Sequence, residues 1–349
     1  RSECGEYPKS LRFGDAGAKV VSDKLIIDSI FDSGIGSITD RLISVLRGCY
    51  DGTSGTLTLS GENTALTVTY DSELSSLPAY AAAGMYSYYE TGNGCREIVL
   101  SAANRDAYEE YLKRVGECGY SPLTREELGK NTVASFAGGG RTAFIGFYPS
   151  DRTIKIILER GGESWAEKAE YKRITTPSVT MLGLGTPSTQ NGMLFIFRLE
   201  DGSFLLYDGG TGTAEAAKQL ISTLRNLSSE YARSDSDIVI RAWFITHTHN
   251  DHAGLLAKQY GKLGKIKVEN VVVSYLSEAE RQRAIESQYS YNWDASVTDW
   301  NPLVTEAAKK LGATLRTAHT GQRLYFGGAE VTVLHTVEDI APAVCDHFN

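Results

Sequence analysis

One stretch constrains this chain more than any other. Residues 238–245 read Ile-Val-Ile-Arg-Ala-Trp-Phe-Ile, and after Thr246 come His247, Thr248, His249, Asn250, Asp251 and His252. The apolar run has the length and the β-branched, aromatic content of a buried strand. The six residues that follow hold three of the chain's six histidines and a carboxylate. Imidazole and carboxylate together are the donors that a divalent transition metal takes from a protein, zinc above all. A loop at the end of a strand is where a rigid scaffold carries such a site.

The spacing has a physical reading. In extended chain, residues two apart project to the same side. His247 and His249 can therefore reach one metal together, while Asp251 and His252 follow the turn of the chain and point towards a second. Two metals roughly 3.5–4 Å apart clamp the oxygens of a carbonyl or phosphoryl group under attack. The plainer alternative is a polar loop whose histidines bind nothing. Four donors in this order after a buried-type strand argue against it.

These residues resemble the signature of the metallo-β-lactamase superfamily, His-x-His-x-Asp-His after an early strand. Residues 193–199 and 204–207, joined through Glu200, Asp201, Gly202 and Ser203, read as a hairpin. It ends in Asp208, Gly209, Gly210 and Thr211, similar to the Asp-x-Gly turn close to the metals of that family. Residues 312–333, with Gly327 and Gly328 at a turn, look like the strand pair closing the family's first half. The resemblance covers residues 176–349. It implies an αββα sandwich and two zinc ions, with iron or manganese as alternative metals. It implies His247 and His249 on one metal and Asp251 and His252 on the other, with Asp251 also the catalytic group that steers the attacking water. Zinc-bound hydroxide would attack an ester, phosphoester or amide of a small substrate. Asp208 would accept the second ring N–H of a ligating histidine and fix its tautomer; the alternative is an ordinary turn residue.

The chain also departs from the family pattern. Members supply a further histidine, a bridging Asp and a last histidine from the second half of the fold. Here only His319, His335 and His347 remain after the signature. His347 and His335 are secondary metal candidates, and His319, in a turn-like setting, is another; an ordinary surface or core histidine is the alternative for each. The reading is that the sequence holds the first half of the sandwich, the rest lying beyond residue 349. Two rival functions follow: a non-catalytic binding protein with an incomplete metal site, or an iron-dependent redox enzyme on the same fold.

Composition narrows the class. At 349 residues the chain exceeds one ordinary core, and 42% hydrophobic with 22% charged residues is a globular balance. No apolar run reaches the length of a membrane span. Five cysteines, widely spaced and without a Cys-x-x-Cys pair, argue against a disulfide framework and against cysteine zinc clusters. The net charge of −8, with no basic stripe, argues against long nucleic-acid polymers and leaves a small-molecule substrate. The start at Arg1, with no leader in view, leaves location open between the cytoplasm and export with a signal removed.

The expected fold class is α+β. Residues 1–90 form an N-terminal α+β segment, 91–175 a β-α-β-β-β module, and 176–349 the metallo-β-lactamase-like domain. In the first half, strands are expected at residues 24–30, 56–59 and 65–70, with a helix over 37–46. In the module, a helix capped by Asn104 or Asp106 runs to about Glu117, between a strand at 96–101 and a hairpin around Gly138, Gly139 and Gly140. This half contains no histidine and no evident chemistry. Tyr80, Tyr86, Tyr88 and Tyr89 read as packing or as a stacking surface. After the signature a helix is expected from about Ala253, then a buried strand over 268–275. Residues 277–301 carry Tyr289, Tyr291, Trp293 and Trp300, and Tyr291 and Trp293 are candidates for an aromatic wall of the substrate cleft; packing on the sheet is the alternative.

Overall fold

The protein is described from a computed structural model, which covers residues 50–51, 56–61, 64–69, 77–78, 86–90, 95–100, 103–161, 168–184, 192–274 and 300–339. The expected elements at 24–30 and 37–46, Tyr80, the stretch with Tyr291 and Trp293, and His347 lie outside the described residues. By contact the chain divides into two units, Arg1–Glu163 and Ser164–Asn349.

Among its described residues the first unit has two antiparallel sheets. Strands β1 (Tyr50–Asp51), β2 (Thr56–Gly61) and β3 (Thr64–Thr69) form a three-stranded meander. Strands β4 (Tyr86–Glu90), β5 (Arg96–Leu100), β6 (Ser121–Leu128), β7 (Asn131–Gly138), β8 (Arg141–Tyr148) and β9 (Thr153–Arg160) form a second sheet in the order β4-β5-β9-β8-β7-β6. Helix α1 (Arg105–Glu117) packs against it. Asn104 caps the helix, its side chain accepting from the Ala107 amide at 2.9 Å, and Asp106 and Arg114 complement the helix dipole. Tyr108, Tyr111, Leu112 and Val115 recur at helical spacing and are buried against the sheet. The Tyr108 ring stacks on Phe147 and its hydroxyl donates to the Ile145 carbonyl at 3.1 Å. Two strands add to the expected module. β4 contains the tyrosines read as a possible stacking surface, and β6 (Ser-Pro-Leu-Thr-Arg-Glu-Glu-Leu) is an edge strand whose polar, largely exposed sequence lacks clean alternation.

The second unit is built on a mixed sheet. Strands β10 (Ser178–Gly183), β11 (Met193–Arg198) and β12 (Phe204–Tyr207) are antiparallel neighbours. From β12 onwards, β13 (Val239–Ile245), β15 (Asn270–Val273) and β16 (Thr314–Thr317) continue in parallel, and the short β14 (Lys267–Val268) also pairs with β13. The expected 268–275 strand is thus split, with Glu269 between its pieces. Helices α2 (Ala214–Ser228), α3 (Asn250–Gln259) and α4 (Asn301–Leu311) cover one face. Leu220 and Leu224 of α2, Leu255 and Leu256 of α3 and Val304 of α4 are fully buried there, over Leu194, Ile196, Phe204, Leu206 and Trp243. Each such Leu or Ile contributes about 2 kcal/mol relative to an exposed one. α2 and α4 add to the expected elements, and so does edge strand β10.

Among the described residues, a hairpin packs on part of the opposite face. A hairpin of β17 (Arg323–Phe326) and β18 (Ala329–Thr332) sets Leu324 and Phe326 on Leu205, Ala242 and Val272. Towards β10, Val179 and Met181 are each 62% exposed, and Met193 and Tyr207 are exposed too. A register shift sits between β12 and β13, where Phe204 pairs with Ile240 and Leu205 with Ala242. Arg241 is the extra residue. The bulge lets Ile240, Trp243 and Ile245 all enter the helix-side core while Ala242 faces the hairpin. The architecture is α+β, as expected. No helix among the described residues is long and apolar enough to cross a membrane.

Candidate metal centre

Because β12, β13, β15 and β16 are parallel, their carboxyl ends lie along one edge of the sheet, the edge where α/β sheets place their ligands. Two adjacent ends build the site: Asp208 follows β12, and Thr246 to His252 follow β13.

Asp208 is buried and has φ of 61°, the left-handed region that Asp tolerates better than most residues. Its backbone explains how it is held there. Its amide donates to the Phe244 carbonyl at 2.8 Å, and its carbonyl accepts from the Trp243 indole at 2.8 Å. Its carboxylate accepts from the Thr246 amide at 2.9 Å, from the Thr246 hydroxyl at 2.8 Å and from Nδ1 of His252 at 2.8 Å. The expected carboxylate–imidazole contact is therefore present, and His252 is the histidine that makes it.

Helix α3 begins earlier than expected, at Asn250 rather than near Ala253, with His249 as its N-cap. The correction has a plain cause: the sequence lacks a Ser, Thr or Asp cap at the true start, and the His249 side chain makes no capping bond. The first helical turn then folds Asp251 and His252 back over the loop. The amides of His252 and Ala253 bond to the His249 carbonyl. The His247 ring lies with its centroid 3.9 Å from that of His252 and 4.7 Å from that of His249. An Asp251 carboxylate oxygen is 3.7 Å from Nε2 of His252. The rings of His249 and His252 thus both pack on that of His247, and Asp251 lies beside His252.

The helix is brought this close by glycine. A Cβ on Gly254 of α3 would stand 2.6 Å from the Gly212 amide nitrogen, and one on Gly212 would stand 2.4 Å from the Gly254 carbonyl oxygen. The backbones of α3 and the Asp208 loop meet directly, and the Leu255 amide donates to the Gly210 carbonyl across the seam. On the other side, the Thr248 hydroxyl donates to Oδ1 of Asn301, the first residue of α4, at 2.6 Å. Lys258 lies over the ring of Trp300, 4.6 Å from its centroid. Trp300, read as part of an aromatic stretch, is buried as packing beside α4.

Electrostatics suit ligation. Burial first, then the neighbouring His252 and His249, hold the His247 imidazole below its ordinary value of 6.5. His247 is then neutral at pH 7, with a ring lone pair to offer. Imidazoles and a carboxylate, partly open to solvent, are the donor types that fit a divalent transition metal.

The remaining candidates lie elsewhere. Nδ1 of His335 is 2.8 Å from Oδ2 of Asp339, on an exposed side chain. His319 follows β16, is fully buried, and has Nδ1 2.8 Å from Oε2 of Glu338. Sequence reasoning assigned no chemistry to Thr246 and did not single out Asn301. Their signal is tertiary, since a hydroxyl or amide in a loop is ordinary until its partner is known.

Residues 186–321 match the family model described as the metallo-beta-lactamase superfamily. No curated protein and no solved structure shows significant similarity to the chain. The match contains Asp208, the whole His247–His252 run and the parallel strands that position them. Residues 186–321 of the second unit are therefore similar to the metallo-beta-lactamase superfamily, which supports a fold of the metal-dependent hydrolase type.

Proposed function

We propose that the domain is a hydrolase of small substrates, working with two divalent metal ions, zinc in the first instance. His247 and His249 would hold one ion, and Asp251 and His252 the other. The observation that carries this reading is the packing of the His247 ring against the rings of His249 and His252 at the carboxyl edge of the sheet, with Asp251 3.7 Å from His252 and the buried Asp208 beside them. When bound, the metals supply Lewis acidity towards a carbonyl or phosphoryl oxygen and acidify water at neutral pH. The protein's part is orientation and proton handling. Asp208 fixes the His252 ring through Nδ1. Asp251, its carboxylate only one third exposed, would orient the attacking water and accept its proton. The acceptor of attack is an ester, phosphoester or amide; the acidic net charge favours small molecules over nucleic-acid polymers.

His249→Ala tests the reading. Bound zinc, measured by elemental mass spectrometry, and hydrolysis of model esters and phosphodiesters should both be lost. Full activity in the variant sinks the assignment. Iron in place of zinc, with a visible absorption spectrum, would redirect it to redox chemistry.

A further inference from the structure

We infer that Thr246 is a positioning residue that fixes the ring state of His247, so that Asp208 orients two of the three histidines and not one. The inference uses the metal-site reading only for its effect on affinity; the ring state itself is a property of the metal-free protein.

One hydroxyl proton decides the ring state. The Thr246 hydroxyl lies 2.8 Å from Oδ1 of Asp208, 3.1 Å from Oδ2 and 3.0 Å from Nδ1 of His247. A hydroxyl has one proton and can accept as well as donate. An ionised carboxylate accepts only, so the Thr246 proton must point at Asp208. Otherwise two oxygens would face each other with lone pairs at hydrogen-bond distance, one of them on the buried Asp208, and a bond would go unmade. With its proton committed, the Thr246 oxygen can only accept from His247. Nδ1 of His247 therefore carries the hydrogen and Nε2 carries the lone pair.

The same logic applies directly at His252, whose Nδ1 meets Oδ2 of Asp208 at 2.8 Å. One buried carboxylate thus sets two imidazoles to the same tautomer, one by contact and one through a hydroxyl. The Thr246 amide, also bonded to Oδ1 of Asp208 at 2.9 Å, keeps the relay rigid by fixing the backbone that carries the hydroxyl. The ring of His247 sits closest to His252, so both Nε2 lone pairs belong to neighbouring rings of one cluster. A histidine free in solution exchanges between tautomers; one locked before a metal arrives loses less freedom on ligation.

The test is ring-nitrogen NMR on metal-free protein labelled with 15N in histidine, together with zinc affinity by chelator competition. In the wild type His247 should be found as the Nδ1–H form. Thr246→Val keeps the shape and removes the hydroxyl. It should return His247 to a mixture of tautomers while His252 keeps its Nδ1–H, and weaken zinc binding by about tenfold or more. Thr246→Ser should restore both. A wild-type His247 in the Nε2–H form overturns the inference, as does a Thr246→Val protein with unchanged tautomer and affinity. If the wild type shows the expected ring state and binds no zinc, the metal reading falls and the Thr246 relay stands.

Discussion

At the start of β13, Arg241 lies 3.0 Å from Glu269 and 3.2 Å from Asp201, and Lys267 lies 2.8 Å from the same Glu269. At the other end of the strand, His247, His249 and His252 crowd together above Asp208. Both ends gather ionisable groups. At the first, opposite charges meet and satisfy one another. Burial pulls the Arg241 pKa down, yet its hydrogen bonds to Glu269 and Asp201 outweigh burial and leave it raised. At the second, like groups are held side by side, and burial and mutual repulsion push His247 towards its neutral form. The first arrangement closes a sheet edge. The second packs three imidazoles side by side against a buried carboxylate, an arrangement more typical of a functional site than of a structural ion pair.

The largest effect is expected at Asp208. Asp208→Ala should strand the Thr246 amide and hydroxyl and the His252 ring, costing about 3 kcal/mol in denaturant unfolding and about 10–100-fold in zinc affinity. Unchanged zinc binding would mean that the carboxylate only shapes a turn. Next comes Gly254→Ala. Glycine to alanine inside a helix ordinarily stabilises, by about 0.5–1 kcal/mol. Here the added carbon meets backbone of the Asp208 loop, so the sign should reverse, with a loss of about 1–3 kcal/mol. A more stable variant would show that the seam between α3 and the loop is loose.

Arg241→Met probes the other end. The guanidinium is over one third exposed, so its pairs are screened and the loss should be about 1 kcal/mol or less, with zinc affinity unchanged. A drop in zinc affinity would couple the two ends and dissolve the contrast. The smallest effect is in pH. His247 has a depressed folded pKa, so below about 6.5 the unfolded metal-free chain binds more protons than the folded one. Stability should therefore fall as pH drops through that value and level off below the folded pKa. His247→Gln should flatten this part of the profile; an identical slope in the variant rules His247 out as its source.

Much of the centre was legible because it is local. His247, His249, Asp251 and His252 are contiguous with the strand that carries them, and strand content plus donor chemistry suffices to nominate them. Asp208 was legible only through a family resemblance, being nearly forty positions away in sequence. The start of α3 was misplaced because His249 caps it without any capping side chain. The polar edge strand Ser121–Leu128 gives little periodic signal, since an edge strand need not bury either face fully. The Arg241 bulge is invisible in principle, because a register shift is a relation between two strands.

By itself, then, the sequence determined the His247–His252 run, the strand that ends in it, a helix capped at Asn104 or Asp106 and the α+β class, all properties of short-range pattern and residue chemistry. Tertiary structure decided what those donors face. It placed Asp208 under His252, turned the Thr246 hydroxyl between Asp208 and His247, and let Gly212 and Gly254 bring a helix start against a loop. These depend on distances between segments remote in the chain, which only the packing of the sheet and its helices sets.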